Sequence, residues 1–209
     1  MKILINCALA IVMIGCSNPI QTGHNDQQDI ISDYTKIYNF FGDSLINHIP
    51  KELVGIETID TFAYHNTVSF FLTSDKNKVQ IDSVLMFFSK KILKEYSAAD
   101  SCLIVVNDYV DTKNFTDPFR ASKSIFIEGC SNGRYAVPNF WGSSLATEET
   151  RSKLSADFMF YILDSKKGIY SNKIKAEQSS MPDFIKHGYS RGFAVSRQKN
   201  IFIYWVIIW

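Results

Sequence analysis

Excess charge of either sign is the first thing this chain lacks. Its 22 Lys and Arg stand against 21 Asp and Glu. A balanced chain has no electrostatic footprint for phosphate backbones, which excludes nucleic acid as a partner. The spacings of metal sites are also missing. No CxxC, HxxH or HExxH occurs, so neither a metal nor a cofactor is implied. No apolar run reaches the roughly 20 residues that a membrane-spanning helix requires. Internal repeats and a second linker are absent too, so the chain beyond its first residues reads as one domain.

What is present begins at the first residue. MKILINCALAIVMIGCSN opens with Lys2, continues with an apolar stretch from Ile3 to Ile14 broken only by Asn6, and then reaches Gly15 and Cys16. The apolar stretch suits the core of an export signal. Met13-Ile14-Gly15-Cys16 resembles a bacterial lipobox. That resemblance implies cleavage before Cys16, a diacylglyceryl group on its sulfur and an acyl chain of palmitate type on its amine. Two or more chains anchor a protein stably where one does not. The competing reading is a buried N-terminal strand with Cys16 as a core residue. Residues 17–28 (SNPIQTGHNDQQ) hold one aliphatic side chain among polar ones, too little to bury, and so read as a tether. The expected organisation is a signal over 1–15, a lipidated Cys16 with its tether over 16–28, and a single domain over 29–209.

Within that domain the hydrophobic period alternates between helix-like and strand-like. Ile30, Tyr34, Ile37, Phe41, Leu45 and His48 fall at helical spacing and predict a helix ending near Pro50. Residues 55–74 predict a β-hairpin turning at His65-Asn66. Ile81, Val84, Leu85, Phe88, Ile92 and Tyr96 predict a second helix. Strands are expected at 102–110, 123–128 and 158–163. Residues 129–142 read as a loop, 148–154 as a short helix, and Pro182 as the first turn of another. The chain closes with a strand at Gly192–Ser196, a polar turn, and Ile201-Phe-Ile-Tyr-Trp-Val-Ile-Ile-Trp209, a run fit for burial on both faces. The class that follows is α+β: a mixed, mostly antiparallel sheet of about seven strands with two longer helices on one face.

Chemistry is thinly represented. Cys102 and Cys130 can pair in an oxidising compartment or remain two separate buried thiols; sequence leaves both open. In Gly129-Cys130-Ser131-Asn132-Gly133 a nucleophile lies between glycines, but Pro138 and a long loop follow where a nucleophile elbow needs a helix. Asp183 and His187 stand four apart, a spacing that lets a carboxylate orient an imidazole. A hydrolase using Ser131 or Cys130 with His187 is the enzymatic alternative. Arg134, Tyr135, Trp141, His187, Tyr189 and Arg191 form the candidate binding patch, since aromatics and arginines dominate interface hot spots. Lys166, Lys167, Lys173, Lys175, Lys186, Arg191, Arg197 and Lys199, against Glu177 and Asp183, read as a solvated basic face.

The lipobox-like VMIGCSN and the ending FIKHGYSRGFAVSRQKNIFIYWVIIW resemble small lipoproteins encoded in Bacteroidota genomes, a group with no assigned activity. The resemblance implies a cell-envelope location, with the membrane as partner through the N-terminal lipid. Surface-bound lipoproteins of that group carry acidic residues directly after the Cys. Here Ser17, Asn18 and Pro19 follow and the first acid is Asp26, which points to the periplasmic side of the outer membrane. The expected function is a non-catalytic binding domain contacting an envelope protein, with an immunity-type inhibitor as a further alternative.

Overall fold

A computed structural model describes residues 27–53, 57–64, 67–106, 130, 133–170, 181 and 185–209. Its frame is a six-stranded antiparallel sheet in the order β1-β2-β8-β7-β6-β3, beside a two-stranded parallel pair, β4-β5. The strands are β1 Glu57–Tyr64, β2 Thr67–Asp75, β3 Lys94–Ser97, β4 Ile104–Val105, β5 Ala136–Val137, β6 Met159–Lys167, β7 Gly188–Ser196 and β8 Ile201–Ile208. The helices are α1 Gln27–Phe41, α2 Asp43–Ile46 and α3 Lys78–Phe88. This is the α+β architecture that the alternating periods predict.

Strand alternation divides the core in two. On one face, Phe70, Leu72, Phe193, Val195, Phe202, Tyr204 and Val206 pack under the three helices, which contribute Tyr34, Phe41, Leu45, Ile46, Ile81 and Leu85. On the other face, Phe71, Phe160, Ile203, Trp205, Ile207 and Trp209 are covered by loops and the β4-β5 pair, through Leu103, Val106, Val137, Phe140 and Leu154. The final apolar run is thus covered on both faces, with Phe202 to Trp209 all buried. Phe140 stacks on Phe71 with ring centroids 4.4 Å apart.

Several predicted elements take a different form. The first helix breaks at Gly42, whose φ of 73° is left-handed. α1 then closes through a bond from the Gly42 amide to the Tyr38 carbonyl at 3.0 Å, and the Tyr34 hydroxyl donates to the Pro50 carbonyl to fold the following segment back. The second helix does not run to Tyr96. It begins at a capping box, in which Asn77 and Gln80 exchange side-chain and backbone bonds of 3.0 and 2.9 Å. It ends at Phe88 and tightens into a 3₁₀ turn, Ser89–Lys91. Ile92 then joins the helix-side core, whereas Tyr96, on β3, joins the loop-side core. One continuing helix could not send both residues to opposite faces of the sheet.

Residues 148–154 form turns rather than a helix. The Thr150 hydroxyl donates to the Leu154 carbonyl at 2.6 Å, the local competition by which Ser and Thr displace helical bonds, and Lys153 sits at φ 67°. The loop at 129–142 contains β5. Of the strand expected over 102–110, Ile104–Val105 is formed and pairs in parallel with β5. The hairpin turn at His65-Asn66, the strand at 123–128 and Pro182 lie outside the described residues.

Gly192 holds the centre of the sheet together by having no side chain. It pairs with Trp205 across β7 and β8, and a Cβ there would lie 3.1 Å from the indole Cζ2 and 2.0 Å from the Tyr161 carbonyl oxygen. A β-bulge between Ile162 and Asp164 on β6 sits beside it. Gly192→Ala must therefore push strands apart, and we expect a loss of about 1–3 kcal/mol in urea unfolding. An unchanged midpoint would mean that the β6–β7 pairing relaxes at no cost.

Candidate functional site

The candidate patch read from sequence does not assemble. Arg134, Tyr135 and Trp141 lie in the loop-side cover: Arg134 pairs with Asp100 at 2.7 Å and sits 5.4 Å over the Tyr96 ring, and Tyr135 packs on the loop-side core. Tyr189 packs in the helix-side core, and Arg191, two residues along the same strand, points to that face as well. The sheet separates the two groups. Gly188 already pairs with Lys167 at the start of β7, so Tyr189 and Arg191 belong to a strand, not a loop. His187 just precedes it, half-buried, its carbonyl accepting from the Gly168 amide at 3.0 Å.

Cys102 and Cys130 are joined by a disulfide across 28 positions of sequence. The Cys130 sulfur is therefore no thiolate nucleophile, which removes that half of the hydrolase alternative. Ser131 and Asp183 lie outside the described residues. Among the described residues no group of three or more His, Cys, Asp or Glu is arranged to hold a metal ion.

Two features that sequence periodicity passed over carry more weight. The first is a part-buried polar cluster tied to the α2 segment. The Arg191 guanidinium, only 15% exposed, donates to Asn47 Oδ1 at 2.6 Å and to the Leu45 carbonyl at 3.3 Å. Its other terminal nitrogen lies 3.8 Å from Asp164, which also accepts from the Tyr189 hydroxyl at 2.6 Å. Arg191 is thus a clamp between β7, β6 and the α2 segment, not part of a solvated basic face. Burial, and then the Asp164 bond, raise the Tyr189 phenol above its ordinary range. His48 lies against Phe193 with centroids 5.8 Å apart, and its Nε2 is 3.1 Å from the Trp205 carbonyl, to which it donates. Burial first, then the Arg191 charge, lower its pKa to about 3. A neutral imidazole of this kind is a structural donor, placed by the turn after α2 that the helical reading of His48 missed.

The second feature is exposed. On α3, Ile81 and Leu85 are buried while Val79, Met86 and Phe87 are 74%, 73% and 75% exposed, and Leu93 beyond the helix is 50% exposed. The run Met86-Phe87-Phe88 was the available signal, because three consecutive large apolar residues cannot share one helical face. Lys78, Lys90 and Lys91 border this surface and are themselves exposed.

No protein-family model, curated protein or solved structure matches this chain.

The cluster makes the fold acid-sensitive in a definite window. The folded His48 refuses a proton that the unfolded chain accepts below its ordinary value of about 6.5. Stability is therefore complete above pH 6.5 and falls as pH drops below it, by about 1.4 kcal/mol per unit for this one group. Between pH 6.5 and 5 the urea midpoint of the wild type should fall, and that of His48→Gln should stay flatter. The same slope in both proteins would place the effect elsewhere. Asp100 and Asp157 do not confuse this window. Burial opposes their ionised forms, but bonds from Arg134 to Asp100, and from Ser155, Ser196 and Lys199 to Asp157, hold both below the usual carboxylate range.

Proposed function

We propose that the chain is a lipid-anchored protein of the bacterial cell envelope, related to the small Bacteroidota lipoproteins it resembles. Its α+β domain binds rather than reacts. The observation that carries the reading is the opening stretch: a positive residue, a short apolar core and Met13-Ile14-Gly15-Cys16 ahead of a polar tether. Cys16 is the anchor and residues 16–26 the tether, since Gln27 and Gln28 of the expected tether belong to α1, with the domain on the periplasmic side of the outer membrane. The Cys102–Cys130 disulfide supports an oxidising compartment. The apolar surface at Val79, Met86, Phe87 and Leu93 supports contact with something other than water. An envelope protein is the partner class in this reading, and an immunity-type inhibitor is the special case in which that partner is a toxin. Ser131 with His187 remains the hydrolase alternative; no observation favours it.

The test is the mass of the N-terminal peptide from protein purified from its native host. A peptide starting at Cys16 and carrying diacylglyceryl and acyl groups is expected, and Cys16→Ser should release the protein from the membrane fraction. An unmodified peptide starting at Met1 would falsify the anchored reading.

A further inference from the structure

α3 is apolar on two sides. Val79, Ser83, Met86 and Phe87 recur at intervals of four, three and one, so they share one face of the helix. That face looks outward, away from the buried Ile81 and Leu85. Phe87 stands edge-on to Phe88, 4.9 Å between centroids, and Leu93 extends the surface past the 3₁₀ turn. A helix that is apolar on two sides normally buries both.

The charges around this face have one dominant sign. Lys78 stands at its N-terminal end and Lys90 and Lys91 at its C-terminal end, while Glu95, opposite Tyr161 on β6, is an acid on the helix side of β3. Lys91 lies 5.6 Å over the Phe88 ring. Asp82, the acid within the helix, is taken by Arg197. Projecting Val, Met, Phe and Leu side chains with lysines at both ends have the chemistry of a helix lying in the headgroup region of an anionic bilayer.

The connection to the chain's start agrees. α1 packs on the same side of the sheet as α3, and residues 16–26 lead directly into α1 at Gln27. Eleven residues reach at most about 40 Å. An anchor at Cys16 would hold the helical layer within a domain's width of the bilayer.

We propose that the outer face of α3 docks on an anionic lipid surface, with Val79, Met86, Phe87 and Leu93 entering the interface and Lys78, Lys90 and Lys91 meeting the headgroup phosphates. The proposal deepens the anchored reading and rests on it for its geometry. The test uses full-length protein from the native host on vesicles of phosphatidylcholine alone, or with three parts in ten phosphatidylglycerol. Met86 is oxidised with chloramine T, Lys90 and Lys91 are acylated with a membrane-impermeant reagent, and both are read by peptide mass. Several-fold protection of all three on the anionic vesicles only is expected. Lys90→Gln and Lys91→Gln should each weaken salt-sensitive partition by about fivefold. Met86 and both lysines reacting alike on both vesicles, while the protein still co-floats, overturns the docking face and leaves the anchor standing. Protection that grows with protein concentration in the absence of lipid overturns it in favour of self-association. The same digest reports the N-terminal peptide. Anionic-selective protection beside an unmodified Met1 peptide keeps the docking face and removes the anchor.

Discussion

The fold depends on one constraint: β8 must be dry on both sides. Its residues alternate Phe202, Tyr204, Val206 and Ile208 toward the helices with Ile203, Trp205 and Ile207 toward the loops, where Trp209 just beyond the strand joins them. Each fully buried side chain of this size is worth roughly 1.5–3 kcal/mol, so leaving either face wet would forfeit a large share of the driving force. β2 and β7 flank the strand, and the remaining elements provide a cover for each face. Gly192 is the local cost of the arrangement, because the Trp205 ring takes the place a side chain there would need. Trp209 finishes the strand by exchanging both backbone bonds with Gly188 at 3.0 Å and by donating its indole N–H to the Ile185 carbonyl at 2.7 Å.

The two covers meet the same requirement by different means. Helices satisfy their own backbone groups, so the helix side needs few special bonds beyond the Arg191 clamp and the Asn77 cap. The loop side has no such economy, and its backbone groups must find partners one by one. Arg151 supplies two of them by donating to the Ser101 and Leu103 carbonyls at 2.9 Å, and the Tyr96 hydroxyl accepts from the Tyr135 amide at 3.0 Å. The disulfide then ties this side covalently. A closed loop of this length removes about 3–4 kcal/mol of unfolded-state entropy, which suits a cover built largely from turns.

Period was legible in the sequence wherever one element faced one core. The β8 run, the β1-β2 hairpin and the start of α3 all follow from it. Reading failed where a residue's destination depended on a distant partner. Tyr96 continues the helical spacing of Ile81 and Phe88, yet pairing with Phe160 on β6 claims it for a strand. The 148–154 segment has helical composition, but a Thr hydroxyl outcompetes the helix there. Arg191 looked solvated because local sequence cannot show Asn47 arriving from more than a hundred residues away. The candidate patch failed for the same reason. Strand alternation and the sheet, not nearness in sequence, decide which aromatic and cationic groups share a surface.

Placement of polarity and apolarity in the helical layer carries a functional argument of its own. The layer buries a phenol and an imidazole, half-buries the guanidinium and carboxylate beside them, and leaves Val79, Met86 and Phe87 exposed on α3. Burying Arg191 carries a desolvation penalty that Asn47, Leu45 and Asp164 must offset, and the result is rigid attachment of α2 to the sheet. Leaving a valine, a methionine and a phenylalanine exposed on one helix has no comparable compensation among the described residues. That asymmetry separates the two features. The Arg191 cluster is accounted for by stability alone, whereas the outer α3 face is left uncovered among the described residues. With lysines at both its ends, that face has the pattern of apolar and cationic groups on which the proposed docking to an anionic surface rests.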